Sequence, residues 1–158
     1  MDVGFYHLTS STLEQALPKL LAKSLERGWN VVVQSGEGAA MKALDDHLWK
    51  FEQTAFLPHG CDDPEGEPEP HTERQPIWLT VGDDTPNAAK ARFFVHSASP
   101  DESTPLGDYD RVVIMFDGAD DAEVRKARET WKWMRGVGHS LTYWQQTDAG
   151  GWTKAQEA

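Results

Sequence analysis

The chain has 158 residues, 39% hydrophobic and 26% charged, which is the composition of a soluble globular fold with enough chain to bury a core. No apolar run approaches bilayer-spanning length, and the start, MDVGFYHLTSST, lacks the basic and apolar regions of a secretory signal. A formal net charge of -11 opposes strong direct binding to a phosphate backbone, and a lone cysteine, Cys61, excludes an internal disulfide, so a reducing cytoplasm is the expected setting.

Val3 to Leu8 (VGFYHL) reads as a short buried strand. Ser11 and Glu14 have capping-box spacing and open a helix to about Arg27, with Leu13, Leu17, Leu20, Leu21 and Ser24 at helical spacing. Pro18 predicts either a kink there or a start near Leu17. After Gly28, Asn30 to Gln34 forms a second strand of the continuous apolar kind found in parallel sheets. Gly36-Glu37-Gly38 leads into a helix from about Ala39 to Phe51, and Phe56 to Gly60 reads as loop. The stretch 62–75 (DDPEGEPEPHTERQ) is rich in Pro and Glu and predicts a mobile surface loop. Ile77 to Val81, Ala91 to His96 and Arg111 to Phe116 are three further strands. A strong helix from Asp120 to Arg135 follows, and Leu141 to Gln146 with Trp152 to Lys154 form a closing hairpin. Strands alternate with helices. The expected class is α/β, with a largely parallel sheet flanked by helices in one domain.

The last helix carries the main functional signal. Five of the 15 basic residues fall within the eleven positions from Arg125 to Arg135. On a helical wheel Arg125, Arg128, Lys132 and Arg135 share an arc of roughly 80°, and Val124, Ala127, Trp131 and Met134 occupy an adjoining arc of about equal width. The apolar stripe is expected to pack on the sheet. The basic stripe has a plain alternative as a solvated face. Yet four like charges on one strip of an acidic protein suit an acidic ligand, and an arginine beside an apolar hollow suits a peptide ending in an apolar side chain and a free carboxylate. In the preceding helix Ala40, Met41, Leu44, Leu48 and Phe51 form the core face. Trp49 projects from the opposite side, where it is either covered by another segment or exposed as an interface anchor.

Taken in order, these segments resemble the chi subunit family of bacterial DNA polymerase III. The resemblance rests on FYHL at 5–8, the helix ending in Arg27-Gly28, Leu44-Asp45-x-x-Leu48-Trp49 followed by Phe56-Leu57-Pro58-His59, and ARETWKWMRGVGHSL from Ala127 to Leu141. It implies a Rossmann-like α/β fold without a bound nucleotide or other cofactor, and a non-catalytic role in the clamp loader. It also implies two partners: the psi subunit, and the acidic C-terminal tail of single-stranded DNA-binding protein, which ends in proline and phenylalanine. By the same resemblance Arg128 is the key arginine of the tail site, Trp131 fills an aromatic position, Phe116 ends the preceding strand, and Gly138 lets the turn pass close by. Val124 stands where some members have lysine, so the charge would come from Arg125. Lys132 and Arg135 add longer-range attraction. Trp49 and Phe56 match the psi-facing surface, which a repair helicase can also use.

Other readings are weaker. Gly36-Glu37-Gly38-Ala39, between a strand and a helix, is the best support for a small nucleotide-binding enzyme, but it is not GxGxxG and follows the second strand. His59, Cys61 and His71 fit no strong zinc spacing. Direct binding of single-stranded DNA, suggested by the basic helix and seven tryptophans, is opposed by the net acidity.

Overall fold

A computed structural model describes residues 2–50, 59–61, 76–82, 85, 87–101, 103–104, 106 and 109–157. In chain order the elements are β1 (Asp2–Leu8), α1 (Leu13–Glu26), β2 (Val31–Ser35), α2 (Gly38–Lys50), β3 (His59–Cys61), β4 (Ile77–Thr80), β5 (Ala91–Val95), β6 (Arg111–Asp117), α3 (Asp121–Val137), β7 (Ser140–Gln146) and β8 (Trp152–Glu157). The stretch 62–75 and Phe51 to Pro58 lie outside the described residues.

The described strands form one sheet in the order β3-β4-β2-β5-β6-β1-β7-β8. Every pairing is parallel except the closing hairpin of β7 and β8. The class is therefore mixed α/β with a mostly parallel sheet. In a dinucleotide-binding sheet the first two strands are neighbours; here β5 and β6 lie between β1 and β2.

Side-chain parity builds two cores. Tyr6 and Leu8 of β1 join Val31, Val33, Phe93 and Val113 beneath α1 and α2. Val3 and Phe5 join Phe94, Val112, Ile114 and Leu141 beneath α3. Apolar cover on both faces is why Phe93 to Val95 of β5 and Val112 to Phe116 of β6 read as hydrophobic runs.

Several boundaries differ from the sequence expectation. Helix α1 starts one residue later than the Ser11–Glu14 box implies. Thr12 is its N-cap, and the Gln15 side chain accepts from the Thr12 N–H at 3.0 Å. Pro18 neither starts nor ends the helix; it sits buried inside it. The segment at 59–61 is not loop but a short strand, paired with β4. Glycine at 36 serves packing: a Cβ there would run into the His96 carbonyl oxygen, in the tight turn where His96 and Ser97 adopt φ of 51° and 69°.

Candidate functional site

Helix α3 is built to hold its register. The Asp120 carboxylate accepts hydrogen bonds from the Ala122 and Glu123 N–H groups at 3.0 and 3.2 Å, which caps the first turn. Gly138 closes the last turn in the left-handed region, with φ 95°. Ala127 and Met134 are buried, and Val124 and Trp131 are half-buried against the sheet, as the wheel predicts. Arg125, Arg128, Lys132 and Arg135 are all exposed, and among the described residues none of the four is in an ion pair. Lys126 is different, since its ammonium donates to the Ser97 carbonyl.

Beside Arg128 lies an aromatic cluster. The Trp131 ring meets Phe5 edge-on, with centroids 5.2 Å apart, and Tyr143 edge-on at 6.0 Å. His7 stacks on Phe116 at 4.9 Å, and its Nδ1 is 2.6 Å from the Tyr143 hydroxyl. Phe116 reaches this corner but lies under it: it is only 4% exposed, because its register partner His7 covers it. The accessible wall is therefore Trp131, Tyr143 and His7, with Phe116 as floor. A Cβ at Gly118 would collide with the His7 ring, so the glycine fixes that ring's place.

Arg128 acts electrostatically on two of these rings. Burial pushes the His7 imidazole below its ordinary value, and Arg128 pushes it the same way, while Asp117 opposes both. Burial raises the Tyr143 phenol, and Arg128 partly offsets this. The guanidinium is thus close enough to act on both rings, and His7 is neutral at pH 7.

His7 and Tyr143 escape a reading of the sequence because 136 residues separate them. The available signal was strand parity, which places His7 on the same face as Phe5. Of the other expected site residues, Trp49 lies within α2, but its side chain is outside the described residues, as is Phe56. Among the described residues no helix is long and apolar enough to cross a membrane.

Fold and surface together define a mixed α/β protein whose last helix presents four exposed cations, in no ion pair among the described residues, on a face adjoining an aromatic wall. A family model described as DNA polymerase III chi subunit, HolC, matches residues 1–142, and the chain belongs to that family. Its role is that of a DNA polymerase III accessory subunit. The match ends within β7, so the end of that strand and β8 lie beyond it. No match was found among the curated proteins.

Proposed function

We propose that this chain is a non-catalytic bridge, joining psi, and through it the clamp loader, to the acidic tail of single-stranded DNA-binding protein. What supports the reading is exposed Arg128, in no ion pair among the described residues, acting electrostatically on His7 and Tyr143 beside Trp131. The terminal carboxylate of the tail pairs with Arg128, and its phenylalanine lies on the Trp131–Tyr143 wall above Phe116. Arg125, Lys132 and Arg135 attract the preceding acidic residues, each contact being weak and screened by salt. Val124 adds apolar surface, and Gly138 ends the helix without a side chain in the way. Many tails on one coated strand would raise the local concentration of the clamp loader there.

The psi-facing surface in this reading includes Trp49 and Phe56, and a repair helicase is a second user of it. The fold is Rossmann-like in its alternation of strand and helix, the chain is one domain, and the protein works in the cytoplasm at the replisome.

The test is calorimetric titration of an acidic peptide ending in Pro-Phe-COO⁻. Arg128→Ala should weaken binding by ~2–3 kcal/mol, because it leaves a partly desolvated carboxylate unpaired. Unchanged affinity would reject the assignment. Psi binding is checked separately by co-purification of psi with Trp49→Ala and Phe56→Ala variants.

A further inference from the structure

The opposite face of the sheet carries a second constellation of aromatic rings and cations. A groove of about 690 Å³ runs between α1 and the closing hairpin, with β1, β6 and β7 beneath it. Leu20, Lys23, Ser24 and Arg27, spaced to share one face of α1, form one wall. The floor follows the sheet register: Asp2 pairs with Arg111, Gly4 with Val113 and Thr142, and Tyr6 with Trp144. Gly4 leaves room for the Tyr6 ring, which a Cβ there would strike at 2.8 Å.

The two ends of the groove differ. At one end, Arg27 and Arg111 place their guanidiniums 5.1 and 5.9 Å from the centre of the same indole, Trp29. Both act on the buried Tyr6 phenol, lowering its pKa against the larger effect of burial. Among the described residues neither arginine, nor Lys23, is in an ion pair. The lining holds three cations, Lys23, Arg27 and Arg111, against two carboxylates, Asp2, opposite Arg111 in the register, and Glu157, already paired with Lys154, which leaves a small local excess of positive charge. At the other end, Trp144 stacks with Tyr6 at 6.2 Å, Trp152 meets Tyr6 edge-on at 5.0 Å, and the Lys154 ammonium sits 5.9 Å from the Trp144 ring. Trp144 and Trp152 are half-buried, so part of each indole remains accessible.

We propose that this groove binds a nucleotide unit, with phosphate at Arg27 and Arg111 and the base against Trp144 and Trp152. Paired guanidiniums suit a phosphate, whose oxygens they can take two at a time. Flat indole faces stack on any base. Ser24 and Thr142 hydroxyls in the lining offer hydrogen bonds to the sugar or base edge. The volume is within the usual range of small-ligand sites, roughly 300–1,000 Å³. The unit comes either from a free mononucleotide or from a single strand. The molecule's net charge keeps such binding weak and steeply dependent on salt. Trp144 and Trp152 lie beyond the family-matched segment, so the base-stacking end is built from this chain's own C-terminal hairpin. The inference is independent of the tail site, which occupies the other face.

The test is fluorescence anisotropy of a labelled oligothymidylate with the full chain at low ionic strength. Arg27→Gln/Arg111→Gln should weaken binding about tenfold or more. Arg27→Gln alone, at an exposed helix end, should weaken it less, and thermal melting confirms that both variants fold. Displacement by thymidine monophosphate identifies a free nucleotide as the ligand; displacement by oligomers alone identifies a strand. The proposal fails if neither nucleotide nor strand binds. It also fails if binding is lost in Arg125→Gln/Arg128→Gln but kept in the groove variant, which would move the nucleic acid to α3. Capture of an acidic peptide by the groove, with no nucleotide competing, would overturn it as well. Tail-peptide titration of the same variants reports on the α3 site separately.

Discussion

Arg92 shows how a single cation can be committed entirely to structure. It is 1% exposed on β5, where its guanidinium donates to the Gln34 side chain at 2.7 and 3.1 Å, the Gly82 carbonyl at 2.7 Å and the Tyr109 hydroxyl at 3.0 Å. Its geometry leaves nothing for a partner molecule. Arg92→Met should therefore cost ~2–4 kcal/mol of stability, since buried acceptors lose their donor, with tail-peptide affinity unchanged in the folded fraction. Urea unfolding checks it; a loss below ~1 kcal/mol would mean those bonds contribute little. Arg128 is the converse, an exposed guanidinium that acts electrostatically on the His7 and Tyr143 rings. In the proposed reading, His7, on which Arg128 acts, gives the tail site a pH dependence. The folded His7 pKa lies below the ordinary 6.5, so the unfolded chain takes up its proton first as pH falls. Stability from neutral His7 is whole above the ordinary value and lost as pH drops through the lowered folded value. A carboxylate bound at Arg128 would raise His7 again, so binding takes up a proton. Tail affinity should tighten as pH falls from about 7.5 to about 6, and His7→Gln should flatten that profile. The Tyr143 phenol, raised by burial above its ordinary value, stays neutral across that range. A profile equally steep in His7→Gln would assign the proton elsewhere.

At the level of elements, α3 is held by its two ends. Gly138 has a left-handed φ, and a Cβ placed there would meet nothing within 4 Å. Gly138→Ala should therefore lose about 1 kcal/mol through backbone strain alone. Thermal melting measures this, and a loss well above that would reveal packing the geometry does not contain. The helix was legible in the sequence because its signals are local: an Asp at the cap, acids in the first turn, arginine in the last, and two stripes at helical period. The strand cores were legible for the same reason. What escaped is set over distance. Ser11 and Thr12 both have a capping partner three residues on, and the choice between them is made by Gln146. Its Oε1 accepts from the Thr9, Ser10 and Ser11 N–H groups at 3.0–3.1 Å, and its amide donates to the Ser11 hydroxyl at 2.6 Å. That contact spans 135 residues, so no window around residue 11 contains it. Strand β3 is likewise a product of its partner, since His-Gly-Cys has no alternation and is aligned only by its ladder with β4. The wall of His7 and Tyr143, and the groove between α1 and the hairpin, follow from a sheet order that no local pattern encodes.

Across the whole molecule, the sheet separates two cation–aromatic surfaces on a body that carries -11. In the proposed reading that charge repels an acidic tail at long range, whereas the α3 strip attracts it at contact. Salt acts on both. With a Debye length of about 10 Å at 0.1 M, repulsion from distant carboxylates is removed first, and attraction within the strip only later. The tail site should therefore lose affinity with salt more gently than a net-basic receptor would, by about threefold to tenfold between roughly 0.05 and 0.5 M sodium chloride. The remainder should come from the Arg128 pair and the aromatic wall, which lie closer than the screening distance. Arg125→Ala/Arg135→Ala should flatten the slope and leave high-salt affinity nearly intact, whereas Trp131→Ala should lower affinity at every salt concentration and leave the slope alone. Anisotropy titrations of the tail peptide across that range separate the two effects. If both variants changed the slope equally, charge and aromatic contact would act as one unit, and the division of labour between strip and wall would have to be abandoned.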